Sequence, residues 1–276
     1  RGTGGLTGQY LDIALHNANN PKMDLAYLDS ETIYIRMTLK PPLDDVRVRQ
    51  AMNLAIDRKA FVGTMLSPYV IIATQQMLPS ISGHNPDLKP WPYDPARAKK
   101  LIQDAQAAGA PVGKEIILYA RSGHYAGQDE ILQSMIQMWQ RVGMNIKLRM
   151  MENAQYNKLA RKPYPADVTA RLITGKHDNA FGDAAFTMFF NYHSEGAKSD
   201  LNDPTLDKML DEAATLTGAK RRQLFQEANR YIYEKIVPEI SMYHLVSHIR
   251  IGPRVDYEPN MMTSGMIDLS TIKFKK

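Results

Sequence analysis

Glu115-Ile-Ile-Leu-Tyr-Ala120, then an amphipathic stretch from Gln128 to Val142 closed by Gly143, then Asn145-Ile-Lys-Leu-Arg-Met-Met151, sets the rhythm of the chain. Short runs rich in Ile, Leu and Tyr read as strands, and apolar residues recurring every three to four positions between them read as a helix. The pattern continues with a helix over Ala154 to Lys162 and a strand over Asp167 to Gly175. Alternating strands and helices favour a partly parallel sheet with helices packed on it, so the expected class is α/β with a mixed sheet. In such sheets ligands meet the loops that follow the strands, here Arg121 to Gly127 and Lys176 to Asp183. Both loops carry charge and glycine.

Upstream, Thr32-Ile-Tyr-Ile-Arg-Met-Thr-Leu39 alternates Ile33, Ile35, Met37 and Leu39 with more polar positions, which predicts a strand with one buried face. Pro41-Pro42 stops it, and Asp44 or Asp45 is placed to cap a helix burying Val48, Met52, Ala55 and Ile56. Ser67 to Pro95 is rich in proline, glycine and polar residues and predicts a long ordered loop. Asp94-Pro95 reads as N-cap and first helical residue of a helix running to about Ala108, with Gly109 past its end. Downstream, helices are expected over Pro204 to Leu216 and Ala219 to Ile236, then Pro238 and a last strand over Glu239 to Ile251. No internal repeat is visible.

The 276 residues are 44% hydrophobic and 23% charged, the balance of a folded globular chain. No apolar run approaches the roughly 20 residues that a membrane-spanning helix needs. The absence of cysteine excludes disulfides, thiolate zinc sites and cysteine nucleophiles. Net charge is +5, but the basic residues lie among carboxylates without interleaved aromatics, which reads as a solvated surface and not a nucleic-acid interface. Arg1-Gly-Thr-Gly-Gly-Leu-Thr-Gly8 has neither an initiator methionine nor the basic and apolar regions of a signal peptide, so it reads as a cut end with a preceding segment missing.

Lys40-Pro-Pro-Leu-Asp-Asp-Val-Arg-Val-Arg-Gln-Ala-Met-Asn-Leu-Ala-Ile-Asp-Arg-Lys-Ala-Phe61 closely resembles the signature of family 5 bacterial solute-binding proteins, the dipeptide, oligopeptide and nickel binders. Trp91 to Ile102, Gln137 to Leu148 and Asp203 to Ala213 fit further family segments in the same order. The resemblance spans about Tyr27 to Ile251, as the C-terminal half of the family's usual length. It implies a lobe of the periplasmic-binding-protein type II fold. Residues 40–238 would form the mobile lobe, while 1–39 and 239–276 would belong to the other lobe and carry its hinge strands. It also implies a periplasmic or lipid-anchored receptor that captures a small peptide or peptide-like solute between two lobes and delivers it to an inner-membrane ABC permease. The alternatives are the ligand-sensing module of a transcription regulator and a nickel or sugar receptor of the same family.

By the same resemblance Asp178 falls where the family's aspartate binds a ligand amine, with Asn179 or Asp183 as alternative equivalents. Ala180-Phe181 looks like extra length, and the family's tryptophan before this aspartate is absent. Arg121 falls where the family's arginine binds a ligand carboxylate; its planar fork holds a carboxylate bidentately. His124 and Tyr125 share that loop and are expected to line the cleft. Asp178 and Arg121 remain open to a plainer reading as a capping residue and a surface ion-pairing group.

No metal or cofactor is expected. The histidines at 16, 84, 124, 177, 193, 244 and 248 are scattered, and His244 with His248 would share a strand face at a spacing too wide to chelate easily. Met261-Met262 and the other methionines read as core filling. Nucleophile-elbow, phosphate-loop and His-Glu-x-x-His motifs are absent, so an enzyme is not expected.

Overall fold

The computed structural model describes residues 24–179, 182–258 and 269–275. The opening segment, Ala180-Phe181 and Met261-Met262 lie outside the described residues. A six-stranded sheet is built around β1 (Asp24–Met37), which lies between β6 (Glu239–Ile251) and β5 (Arg171–His177). The other strands are β2 (Ile71–Ile72), β3 (Ile116–Arg121) and β4 (Ile146–Met151), giving the order β2-β6-β1-β5-β3-β4. The β3 strand runs parallel to both β4 and β5, whereas β1 is antiparallel to β5 and β6. The sheet is therefore mixed, as the alternation of strands and helices predicts.

The two strands expected at the ends of the long helical segment meet in register: Ile33 pairs with Tyr243, Ile35 with Ile240 and Arg36 with Glu239. Ile33, Ile35 and Met37 are buried, but so are Thr32, Tyr34, Arg36 and Thr38. That corrects the expectation of one buried face. The polar positions of β1 are satisfied inside the protein, where Thr32 meets His244 Nδ1 at 2.7 Å and Arg36 pairs with Asp200 at 2.8 Å.

Helix α1 (Val46–Leu54) starts at Asp45, whose carboxylate accepts from the Arg47 amide at 2.8 Å. Helix α2 (Pro95–Ala107) starts at Asp94 in the same way, with Pro95 in its first turn and Gly109 at positive φ beyond its end. Helix α3 (Gln128–Arg141) buries Ile131, Leu132, Met135 and Trp139 against the sheet and α1, and the indole of Trp139 donates to Met52 O at 3.0 Å. Removing apolar side chains of this size from water is worth about 1.5 to 3 kcal/mol each. A short α4 (Asn153–Ala160) follows β4.

The β5 strand begins later and ends later than the sequence suggests, because 165–168 forms a turn closed by Val168 N to Pro165 O. The shift puts Gly175 inside the strand against the Tyr34 ring, where a Cβ would lie 2.2 Å from Tyr34 Cζ. Helix α5 (Ala184–Tyr192) was not expected. It packs with α6 (Pro204–Thr215) and α7 (Gly218–Tyr231) around a second core that includes Met188, Tyr192, Leu206, Leu210 and Phe225. A π-helical turn, Ile232–Ile236, ends this segment, closed by Val237 N to Ile232 O at 2.7 Å.

The stretch before α2 is long and ordered, as expected. Met77 and Leu78 are buried in the second core. Gln75 makes two hydrogen bonds with the Asn85 backbone, and Asn85 Nδ2 donates to Gln226 O at 2.8 Å. These bonds hold the loop to α7.

Candidate functional site

Because β3 and β5 are parallel neighbours, their C-terminal ends emerge side by side. Arg121 is the last residue of β3, and Asp178 is the first residue after β5. Both line one open cleft of about 390 Å³ together with His124. The floor is partly aromatic: Phe186 and Phe190, one helical turn apart on α5, stack at 5.3 Å, and the His177 ring stacks on Phe186 at 5.7 Å. His177 is fixed by Thr187, whose hydroxyl lies 2.7 Å from Nε2. Tyr156 of α4 closes another side, with its hydroxyl donated to Thr174 O and its ring edge-on to His124.

Four cationic side chains, Arg121, Arg161, Lys176 and Lys198, line this cleft against two carboxylates, Glu31 and Asp178. Lys176 is paired with Glu31 at 2.8 Å. Burial, and then the charges of Lys176, Arg121 and Lys198, push His124 down to about 4. Burial likewise pushes His177 to about 4, with Lys198 acting in the same direction and Asp178 opposing. Both rings are therefore neutral near neutral pH. The His124 Nδ1 is buried and has no hydrogen-bond partner among the described residues. The cleft can supply bidentate and point-charge contacts to anions, one accessible carboxylate for a cation and apolar ring faces for a hydrocarbon stem.

Three of the six residues singled out from sequence thus converge: Arg121, His124 and Asp178. The other three do not face the cleft and have other partners. Asn179 is buried at φ +52 and donates to Gln76 O at 3.1 Å. Asp183 caps α5 through the Ala185 amide at 2.8 Å and pairs with Arg221 at 2.8 Å. Burial would raise its carboxyl, but Arg221 and the Ala185 amide outweigh that and hold it below the usual range. Tyr125 packs against the main core, and burial raises its hydroxyl.

Sequence reasoning did not single out Arg161, Lys198, Phe186 or Phe190. The aromatic pair had a usable signal in its spacing of four, but it sits in an unrecognised helix. Lys198 had none: it reaches the cleft because its amide bonds Phe190 O at 3.0 Å across the turn after α5. Among the described residues no group of three or more His, Cys, Asp or Glu side chains is placed to hold a metal ion.

Residues 7–193 match the family model described as bacterial extracellular solute-binding proteins, family 5 middle. The chain is 27% identical over 223 residues to heme-binding protein A of Haemophilus influenzae, covering 79% of this chain and 40% of that protein. Its fold is similar to that of HbpA2 from Haemophilus parasuis, with a TM-score of 0.81 and 22% identity over 98% of this chain and 53% of the other. It is also similar to DppA from Helicobacter pylori in complex with the peptide STSA, with a TM-score of 0.77, 16% identity and coverage of 98% and 52%. The chain spans about half the length of these proteins or less.

Proposed function

The chain belongs to the family 5 bacterial extracellular solute-binding proteins, and from that premise we propose that it forms one wall of a receptor for a small peptide or peptide-like solute. The receptor would serve an ABC importer, acting in the periplasm and handing its solute to an inner-membrane permease. No catalytic step is required of it. Residues 40–238 would move as a lobe, and 1–39 with 239–276 would join the partner lobe, β1 and β6 acting as paired hinge strands. A segment upstream of this chain would supply the opposite wall.

The observation that carries the reading is the pairing of Arg121 and Asp178 on adjacent strand ends in one cleft. A peptide is a zwitterion, and opposite charges fixed on a rigid sheet match its two ends. Bidentate guanidinium contacts suit the carboxylate, and Asp178 suits the amine. The peptide carried by the DppA structure supports the same class of solute. A porphyrin would need broader apolar walls than Phe186 and Phe190 provide, and nothing among the matches supports a transcription regulator.

Mass spectrometry of small molecules released from the purified full-length protein tests this reading. Peptides or peptide-like zwitterions are expected. Release of only a sugar, a metal or heme would refute it.

A further inference from the structure

We propose that Arg161 and Lys198 form a second anion subsite in this cleft, one that takes the side-chain carboxylate of an acidic peptide while Arg121 takes the main-chain carboxylate. The proposal rests on the peptide-capture reading and narrows it to a solute with more carboxylates than amines.

The two cations share one aromatic ring. Arg161 Cζ lies 5.8 Å and Lys198 Nζ 5.3 Å from the centroid of the Phe190 ring. Such a ring attracts each cation but does not neutralise it. Arg161 is the C-cap of α4, and the next residue, Lys162, donates its amide to Ala197 O at 2.8 Å, so the end of α4 lies against the turn that carries Lys198. Neither side chain makes a hydrogen bond or an ion pair within the described residues.

Several other buried or half-buried cations have polar partners inside the protein. Arg36 is paired with Asp200 at 2.8 Å, and Lys176 with Glu31 at 2.8 Å. Arg49 donates to the carbonyls of Leu43, Asp44 and Ile236, and Arg58 to Ser241 O, Asn53 O and Asn53 Oδ1. Lys198 is half-buried without such a partner. Burial first, then Arg161 and Arg36, push its ammonium down to about 8, with Asp178 the opposing charge. A cation destabilised by desolvation and by like charge gains most from an anion brought in from outside. Lys176 and Arg121 have distinct roles: the first is already paired, and the second lies at the end of β3, the end the zwitterion reading assigns to the main-chain carboxylate.

Calorimetry on the full-length protein with Ala-Glu-Ala, Ala-Gln-Ala and Ala-Lys-Ala tests the subsite. Ala-Glu-Ala should bind roughly ten-fold or more tighter than Ala-Gln-Ala, the size of a charge-assisted contact, and Ala-Lys-Ala weakest of the three. Lys198→Gln and Arg161→Gln should each pull the Glu-to-Gln ratio towards one. Arg161 is exposed, so its variant carries the test even if Lys198→Gln folds poorly. Equal affinities for Ala-Glu-Ala and Ala-Gln-Ala overturn the subsite and leave peptide capture standing. So does a preference that survives both substitutions. Failure of all three peptides to bind overturns peptide capture, and the subsite with it.

Discussion

Replacing Glu239 with Gln should stabilise the protein at about pH 8 relative to about pH 5 by roughly 3 kcal/mol, compared with the unsubstituted chain. Glu239 is buried at the start of β6, where it accepts hydrogen bonds from Gln76 Nε2 at 2.5 Å and Ser241 Oγ at 3.1 Å and from the Tyr192 hydroxyl. Its nearest cation, Arg36, is occupied by Asp200. Burial therefore dominates over the hydrogen bonds and pushes the carboxyl from 4.5 up to about 7. In the folded state the group holds its proton in a range where the unfolded chain has lost it. The stability it contributes is present below 4.5 and is lost as pH rises through about 7. The difference of about 2.5 pH units, at about 1.4 kcal/mol each, gives roughly 3 kcal/mol. Burial depresses His124, His177 and His244, to about 4, 4 and 3, so these groups cost stability as pH falls through the range below 6.5. They are common to both proteins and cancel in the difference. The assay is urea unfolding of the two proteins across this pH range. A difference curve that stays flat to within about 0.5 kcal/mol would refute the account, since Gln cannot titrate.

Arg121→Lys should weaken a peptide with a free C-terminus by roughly ten-fold while changing the C-terminal amide much less, because lysine keeps the charge and loses the fork; calorimetry reads both. Asp178→Asn should weaken a free-amine peptide by roughly ten-fold, and an N-acetylated version of the same peptide should bind the parent poorly and change little on substitution. If both variants bind every peptide as the parent does, neither residue is an anchor. Gly175→Ala should cost about 2 kcal/mol or more in thermal or urea unfolding, because its Cβ would overlap the Tyr34 ring at 2.2 Å. Adding Tyr34→Leu should recover part of that loss, and no recovery would place the strain elsewhere.

What could be read from the sequence was local. Asp45 before Val46 and Asp94 before Pro95 announce helices because the capping bond lies within three residues of its own donor. The strands of the β-α-β segment were visible for the same reason, since β3 and β4 carry their own periodicity. Helix α5 escaped because Ala184-Ala-Phe-Thr-Met-Phe-Phe-Asn-Tyr192 is apolar on its open side too: Phe186 and Phe190 face the cleft and Phe189 is exposed, so the polar face that marks a half-exposed helix is missing. In β1 the reverse happened. Arg36 and Tyr34 look like solvent-facing positions, yet distant residues, Asp200 and Asn191, satisfy them indoors.

The same division runs through the cleft. Arg121 and Asp178 were legible through the family resemblance and His124 through the loop it shares with Arg121, and the parallel pairing of β3 and β5 brings the two strand ends together. Arg161 and Lys198 are 37 positions apart and meet only through the fold around Phe190, which itself sits on the helix that the sequence concealed. Position explains the electrostatics as well. His124 and His177 are desolvated between cations, so they stay neutral near neutral pH and contribute shape and hydrogen bonds without charge. The positive character of the cleft then rests on arginine and lysine alone, with Lys176 already matched by Glu31. Three cations remain, with Asp178 at the strand end the other carboxylate that lines the cleft. A simple zwitterion engages one charge of each kind and leaves two cations of the wall without a partner, whereas a peptide with a side-chain carboxylate brings an anion to them. The charge balance of the wall, more than any one residue in it, is the reason to search for the solute among acidic peptides.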